Sequence, residues 1–199
     1  EKSLTLVSTS ACNAWSDKTE YYSWFNWHHA FVAVELVRQL ESQDIVILAP
    51  YRAQVELIRI LLEEAQLEHK AKVMTIWKAQ GSEGETIIFD TVCAPPFNKP
   101  GLWFSDLPGA GEGARLLNVA LTRTKKSLFL ISHQDYWEKH IKTETFFRQI
   151  LDQFTKNGII IDSREITKEA IPTSPGDRGE HRVLTFPAVI CAIFNETDF

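Results

Sequence analysis

Gln80, Gly81 and Glu83 lie in a polar turn between two apolar runs of the sequence, residues 73–76 and 86–89. The Gln80 amide can donate and accept hydrogen bonds, Gly81 lets the backbone approach a ligand closely, and Glu83 adds a carboxylate. Short β-branched runs bounded by glycine predict buried strands. The pattern therefore predicts two buried strands joined by a turn that carries ligand-binding chemistry.

A second stretch with candidate chemistry, LLNVALTR at residues 116–123, ends in Arg123. Its apolar residues have the spacing of a buried helical stripe, which predicts a helix that ends near Thr124. Lys125 and Lys126 follow, and we expect their positive charges to lie at the negative end of the helix dipole.

The series T-x-x-x-x-Q-G-x-E followed by L-N-V-A-L-T-R resembles motifs V and VI of superfamily 1 helicases, in the branch that moves 5′ to 3′ along nucleic acid. Motif V corresponds to residues 72–92 and motif VI to residues 115–125. The P-Y-x-x-Q turn at residues 50–54 is also similar to that family. The resemblance covers residues 26–132 and implies the second RecA-like motor domain of such an enzyme.

The resemblance also implies a role for each polar residue of the two motifs. It places Glu83 near the nucleotide ribose, Gln80 and Gly81 near the phosphates or the nucleic acid, and Arg123 on the γ-phosphate. Catalysis then falls to Arg123 and Gln80, and nucleotide binding to Gly81, Glu83 and Arg123. The residues themselves leave two alternatives open, a solvated turn residue at Glu83 and a helix-end cation at Arg123.

Candidate contacts to nucleic acid lie at Pro50, Tyr51, Arg52 and Thr75. The first three follow an apolar run, residues 45–49, and open a predicted helix, whose N-terminal N–H groups suit a phosphate. The alternative is a well-formed helix start with proline in the first turn. By the resemblance, Thr75 contacts the nucleic-acid backbone. All four are predicted at the carboxyl ends of parallel strands, where open α/β sheets bind ligands.

Apolar strands alternate with amphipathic helices along the chain, which predicts a parallel sheet covered on both faces. The expected fold class is α/β, a RecA-like three-layer sandwich with a mostly parallel sheet and helices on both faces. We expect the RecA-like domain to span residues 1–161, with 162–199 as a C-terminal extension or the start of a further domain. The predicted strands include residues 4–8, 45–49, 128–132 and 158–161.

The sequence contains no G-x-x-x-x-G-K-[ST] phosphate loop. Residues 87–90 mimic an apolar strand that ends in a magnesium-binding aspartate, but the loop that would accompany it is missing. We therefore expect ATP and Mg²⁺ to be bound mainly by a first RecA-like domain elsewhere in the polypeptide, and this chain alone to be inactive. The rival hypothesis is a catalytically inactive RecA-like adaptor that docks a protein. A phosphate-loop kinase or GTPase is excluded by the missing loop.

The net charge of −5 and the 44% hydrophobic content fit a packed domain with a local nucleic-acid track rather than a wholly basic surface. No apolar run approaches the ~18 residues of a membrane span, and three widely spaced cysteines predict reduced thiols in a cytoplasmic protein. We expect no metal site.

The start at Glu1 without methionine suggests a fragment. Single-stranded DNA or RNA and the first RecA-like domain are the expected partners.

Two further segments have a distinctive composition, one rich in aromatic residues and one rich in Pro and Gly. The aromatic residues of segment 9–27 could stack on bases, and we favour packing against a neighbour outside the chain. The Pro- and Gly-rich segment 93–113 is predicted to be a long loop, with a flexible hinge or an insertion at the glycines of residues 109–113.

Overall fold

The computed structural model describes residues 2–12, 14–79, 81–97 and 99–167. Six strands form one sheet in which every neighbouring pair is parallel. A small antiparallel pair lies apart from it. In chain order the strands are β1 Ser3–Ser8, β2 Asp17–Lys18, β3 Trp24–Phe25, β4 Ile45–Ala49, β5 Ala71–Thr75, β6 Gly84–Asp90, β7 Thr124–Ser132 and β8 Ile159–Asp162.

The strands of the large sheet are joined by helices and by two short 3-10 turns. The helices are α1 Trp27–Gln39, α2 Arg52–Glu64, α3 Glu112–Thr122, α4 Gln134–His140, α5 Phe146–Asn157 and α6 Ser163–Ile166. The 3-10 turns are Ile76–Ala79 and Leu102–Ser105. Side chains cap the starts of α1 and α5: the Asn26 side chain accepts from the His29 N–H, and the Thr145 side chain accepts from the Arg148 N–H.

Side chains of the central strands alternate between two separate cores. In β4, Ile45, Ile47 and Ala49 pack with the apolar faces of α1 and α2. Val46 and Leu48 point to the other face, where they join the core that holds α3, α4 and α5. Both faces are therefore buried, and the predicted three-layer α/β sandwich is confirmed.

The sheet order is β5-β4-β6-β7-β1-β8. Connections through α1 and α2 carry the chain toward β5, and those through α3, α4 and α5 carry it toward β8. Because parallel crossovers are right-handed, connections in opposite directions lie on opposite faces of the sheet, as the two cores require. The chain leaves the carboxyl ends of β4 and β6 in opposite directions, which makes this pair a switch point.

Two expectations differ from the structure. Lys125 and Lys126 lie in β7 and not at a helix end, because α3 stops at Thr122. Within the predicted loop 93–113, Phe97 and Phe104 are buried in the second core, and the hinge or insertion at residues 109–113 stays a prediction.

The aromatic residues of segment 9–27 also differ from expectation, because most of them pack on this chain itself. Trp24 stacks on Phe97 with ring centroids 3.7 Å apart, and Trp27 is buried in the first core. Tyr21 and Tyr22 are exposed.

Helix α6 packs on α1, and its Ile166 is buried in the first core. The proposed division at residue 161 stays a prediction, and the extension from residue 168 onward, with Cys191, lies outside the described residues. Cys12 and Cys93 are free thiols. Across the described part of the chain, no helix has the length and apolar character needed to cross a membrane.

Candidate functional site

The amino end of the sheet brings Glu83 and Arg123 together. Gly84 at the start of β6 pairs with Thr124 at the start of β7, so the residues that precede the two strands are neighbours. Arg123 Nη1 donates to Glu83 Oε1 at 3.1 Å, although the two residues are 40 positions apart in sequence. The side chains are 37% and 49% exposed, respectively, so a ligand can reach both.

Further charged side chains surround this ion pair. Lys125 Nζ lies 3.8 Å from Glu83 Oε2, and Lys126 donates to Glu85 Oε1 at 2.7 Å. The hydrogen bond from Lys126 lowers the pKa of the Glu85 carboxyl below its ordinary value. The ion pairs join three cations to two carboxylates, and the Asp44 carboxylate lies beside them, where it accepts from the Glu85 N–H at 3.2 Å. Arg123 also has guanidinium N–H groups beyond the one given to Glu83, so the cluster suits an anion.

The turn before Glu83 requires glycine at Gly81. Its φ is +89°, a left-handed conformation that side chains rarely adopt, and an added Cβ would meet nothing within 4 Å. The turn is closed by a hydrogen bond of 2.9 Å from Ser82 N to the Ala79 carbonyl. The backbone at Gly81 is therefore open to an approaching ligand. Gln80 lies outside the described residues.

The carboxyl end of the sheet holds the four residues predicted to contact nucleic acid. Thr75, the last residue of β5, pairs with Ala49, the last residue of β4, so Thr75 and the turn after β4 share one rim, as predicted. Arg52 is exposed, Thr75 and Tyr51 are half-buried, and Pro50 is buried. Their contact with nucleic acid stays a prediction.

Tyr51 and the start of α2 are partly occupied by contacts within the chain. The Tyr51 hydroxyl lies 3.9 Å from Cys93 Sγ, and burial raises the tyrosine pKa above its ordinary value. The Ala53 N–H donates to Ser23 Oγ at 3.0 Å, which uses one N–H of the first helical turn. Arg52 is thus the residue of this turn that is most available to a phosphate.

A buried polar network, centred on Asp90, lies behind this rim. Asp90 Oδ1 accepts from His29 Nδ1 and from the Val92 N–H, both at 2.8 Å, and Oδ2 accepts from Gln54 Nε2 at 2.6 Å. Asp90, His29 and Gln54 are fully buried. The other ring nitrogen of His29, Nε2, lies 3.0 Å from Thr9 Oγ1 and forms a hydrogen bond with it.

Gln54 and Asn26 tie α2 and α1 to the end of β6. Gln54 exchanges two hydrogen bonds with the Asn26 backbone, and Asn26 Nδ2 donates to the Val92 carbonyl at 3.0 Å. Sequence reasoning missed this network. A signal was present in Asn26, a favoured N-cap before an apolar-periodic helix, and in the glutamine of P-Y-x-x-Q.

His28, next to the network, makes a separate buried contact. Its Nε2 lies 2.9 Å from Ser163 Oγ of α6. Burial, reinforced by the neighbouring His29, lowers the pKa of His28 from 6.5 to about 3. The ring is therefore neutral at physiological pH.

Magnesium does not fit the aspartate that ends β6. The Asp90 carboxyl is fully buried and already accepts three hydrogen bonds. Among the described residues, no cluster of three or more His, Cys, Asp or Glu side chains could hold a metal ion. The apparent magnesium motif at residues 87–90 is thus a structural one.

Helix α3 runs between the two ends of the sheet. Its first turn is capped by Asp106 Oδ2, which accepts from the Gly113 N–H at 2.8 Å, and its last residue precedes Arg123. Gly113 touches the Trp103 backbone so closely that an added Cβ would overlap it. Trp103 in turn contacts Trp77, two residues after Thr75. The helix therefore lies between the carboxyl rim and Arg123.

Residues 1–135 match the sequence profile of a protein family described as an AAA domain. The chain is 36% identical over 125 residues to the DNA polymerase alpha-associated DNA helicase A of Schizosaccharomyces pombe, a match that covers 62% of this chain and 17% of that protein. It is 33% identical over 115 residues to an uncharacterized ATP-dependent helicase of Methanocaldococcus jannaschii, with 57% and 15% covered. Human RNA helicase Mov10l1 is 30% identical over 148 residues, with 69% and 11% covered. The chain thus spans between 11% and 17% of these relatives.

Proposed function

This chain belongs to the AAA domain family and, with its relatives, to the superfamily 1 helicases, and we propose that it is the second RecA-like motor domain of an ATP-dependent nucleic-acid helicase. In this role it supplies half of the ATP site and half of the single-strand site. The first RecA-like domain of the same polypeptide supplies the phosphate loop and the ligands for Mg²⁺.

The observation that carries the proposal is the contact between Glu83 and Arg123 at one end of the sheet. Two motifs that are 40 residues apart converge there, with Arg123 held at the end of α3 by its buried Leu117 and Ala120. An exposed guanidinium fixed by a rigid helix is what a nucleotide bound to a facing domain requires.

The proposed chemistry of Arg123 is charge stabilisation. As the γ-phosphoryl group leaves ATP, negative charge spreads over its oxygens, and the planar guanidinium can meet two of them at once. Glu83 can accept from the ribose hydroxyls, and the open Gly81 backbone admits the phosphates. Gln80 is proposed to act with Arg123. Turnover by this chain alone is not expected.

The opposite end of the sheet is proposed to hold the single strand. Arg52 and Thr75 would contact phosphates, together with the backbone at Pro50 and Tyr51, so binding is salt-sensitive and tolerant of sequence. The relatives include a DNA helicase and an RNA helicase, and both kinds of strand are therefore substrates to compare.

The test is the nucleic-acid-stimulated ATPase rate of the full-length protein that contains this chain. Arg123→Ala should lower that rate by roughly 10³- to 10⁵-fold, and Arg123→Lys should be nearly as damaging because lysine keeps the charge but loses the planar fork. Binding of single strands without nucleotide should stay intact.

The matched control is Arg38→Ala, which removes another exposed, ion-paired arginine, on α1. Its rate should equal that of the unmodified protein. If the Arg123→Ala protein keeps more than about a tenth of the normal rate, far outside that range, the arginine-finger assignment is wrong. An unmodified protein without ATPase activity would favour the inactive adaptor.

A further inference from the structure

We propose that Trp77 and Trp103 form a platform on which unpaired bases of single-stranded nucleic acid stack. This inference rests on the proposed function, since it adds base contacts to the phosphate contacts expected at the carboxyl rim. It assigns the two tryptophans, in the 3-10 turns Ile76–Ala79 and Leu102–Ser105, to the single-strand site.

The two indole rings meet at the surface. Their centroids are 5.5 Å apart with an interplanar angle of 69°, an edge-to-face arrangement. Trp77 is 42% exposed, and Trp103 is half-buried against the second core. A large aromatic side chain left open to water, next to a second one, offers a flat π-surface that any base can cover.

Trp103 is held rigidly from below. Its ring stacks on Phe104 with centroids 3.8 Å apart, and Phe104 is fully buried. The contact of its backbone with Gly113 of α3 fixes the turn from the other side. A preorganised ring loses little conformational freedom when a base stacks on it, which favours binding.

The platform is continuous with the predicted phosphate contacts. Trp77 follows Thr75 by two residues. A Cβ added to Gly101 would lie 3.5 Å from the Tyr51 hydroxyl, so Gly101 lies beside Tyr51. Gly101 directly precedes the turn of Trp103. The rim of β4 and β5 therefore runs without interruption into the two rings.

Basic residues lie near the two tryptophans in sequence or on the same rim. Arg52, Lys78 and Lys99 are exposed on the segments that lead into or out of this surface, and within the described ranges none of them forms an ion pair. Asp106, the nearest acidic side chain in sequence to Trp103, caps α3. Aromatic faces interleaved with cations are the composition of single-strand binding surfaces, and we therefore favour a single strand as the occupant.

The experiment compares the affinities of variants for a short fluorescein-labelled oligo(dT) strand, measured by fluorescence anisotropy on the full-length protein at fixed salt. Trp77→Ala should weaken binding roughly 5- to 100-fold. Trp103→Leu should weaken it similarly if the fold is retained, as checked by circular dichroism. Tyr22→Ala, which removes another exposed aromatic ring, is the matched control and should bind normally.

A second strand separates stacking from phosphate contact. An abasic strand of the same length should bind the unmodified protein and Trp77→Ala equally, because it has no bases to stack. Arg52→Ala should weaken the binding of both strands.

The outcomes distinguish the two proposals. If Arg52→Ala weakens binding while Trp77→Ala binds oligo(dT) normally, the platform is wrong and the phosphate site stands; the rings then serve a protein surface. If the unmodified protein binds no strand, both proposals are wrong.

Discussion

The two ends of the sheet are built in opposite ways. At the amino end, Glu83, Arg123 and Lys125 meet as exposed charges that form few hydrogen bonds. At the carboxyl end, the carboxyl of Asp90 is fully buried and accepts three hydrogen bonds. One end presents groups that can exchange partners, and the other fixes the loops around it.

The difference follows from the surroundings of the charges. Water screens an exposed ion pair, so it contributes little to stability and breaks readily when a ligand competes. A buried polar group has no water to replace a lost partner, so each contact is costly to remove. The exposed Glu83 and Arg123, which are proposed to bind a ligand, and the buried polar groups around Asp90 therefore differ in what the loss of a contact costs.

The largest expected effect on stability comes from Asp90→Ala. It would leave His29, Gln54 and the Val92 N–H without their acceptor, so the free energy of unfolding should fall by about 3–5 kcal/mol. Urea denaturation followed by circular dichroism measures the change. Asp17→Ala, at an exposed aspartate, is the control and should change stability by less than about 0.5 kcal/mol. Equal losses in both variants would mean that burial and hydrogen bonding do not set the contribution of Asp90 to stability.

A smaller effect is expected from pH at His28. Its folded pKa, about 3, lies below the ordinary value of 6.5, so between these values the unfolded state binds more protons. Stability should therefore fall as the pH drops below 6.5, by up to about 1.4 kcal/mol per pH unit from this group. His28→Gln should remove that part of the slope between about pH 5 and 6.5.

The control for His28 is His69→Gln, which replaces an exposed histidine and leaves His28 in place. Thermal melting across the pH series is the measurement. A His28→Gln slope identical to that of the unmodified chain would show that His28 becomes protonated without unfolding.

The smallest effect is expected at the amino end. Glu83→Ala and Arg123→Ala should each lower the free energy of unfolding by less than about 1 kcal/mol, and their coupling in a double-mutant cycle should be about 0.5 kcal/mol or less. The pair Glu35 and Arg38 on α1 is an exposed comparison with similar geometry. A coupling energy between Glu83 and Arg123 above about 2 kcal/mol would mean that their ion pair fixes Arg123 as firmly as hydrogen bonds fix Asp90. That result would contradict the proposal that Arg123 exchanges Glu83 for a ligand.

Sequence patterns predicted the sheet because its strands are continuous apolar runs, such as residues 45–49, which become β4 with every residue buried. They also predicted that Thr75 and the turn after β4 share a rim, since parallel strands place their carboxyl ends together. The resemblance of the two motifs places Glu83 and Arg123 at one proposed nucleotide site. In the structure, the register of β6 and β7 brings these two residues into contact.

The remaining features depend on contacts that no local pattern records. His29 and Asp90 are 61 residues apart, and Gln54 is 36 residues from Asp90, so the network exists only after the helices pack on the sheet. The expected position of Lys125 and Lys126 at a helix end is wrong, because helix propensity alone does not give the residue at which β7 begins. The Trp77 and Trp103 contact also requires the tertiary fold.

Helix α3 spans the distance between the two rims. It has 11 residues, so it is about 16 Å long. Gly113 leaves no free space beside Trp103, and Arg123 follows the last residue of the helix. If binding at one rim displaces this helix, the positions of Trp103 and Arg123 are coupled. Linkage then requires that an anion at Arg123 and a ligand at the other rim change each other's affinity by the same free energy.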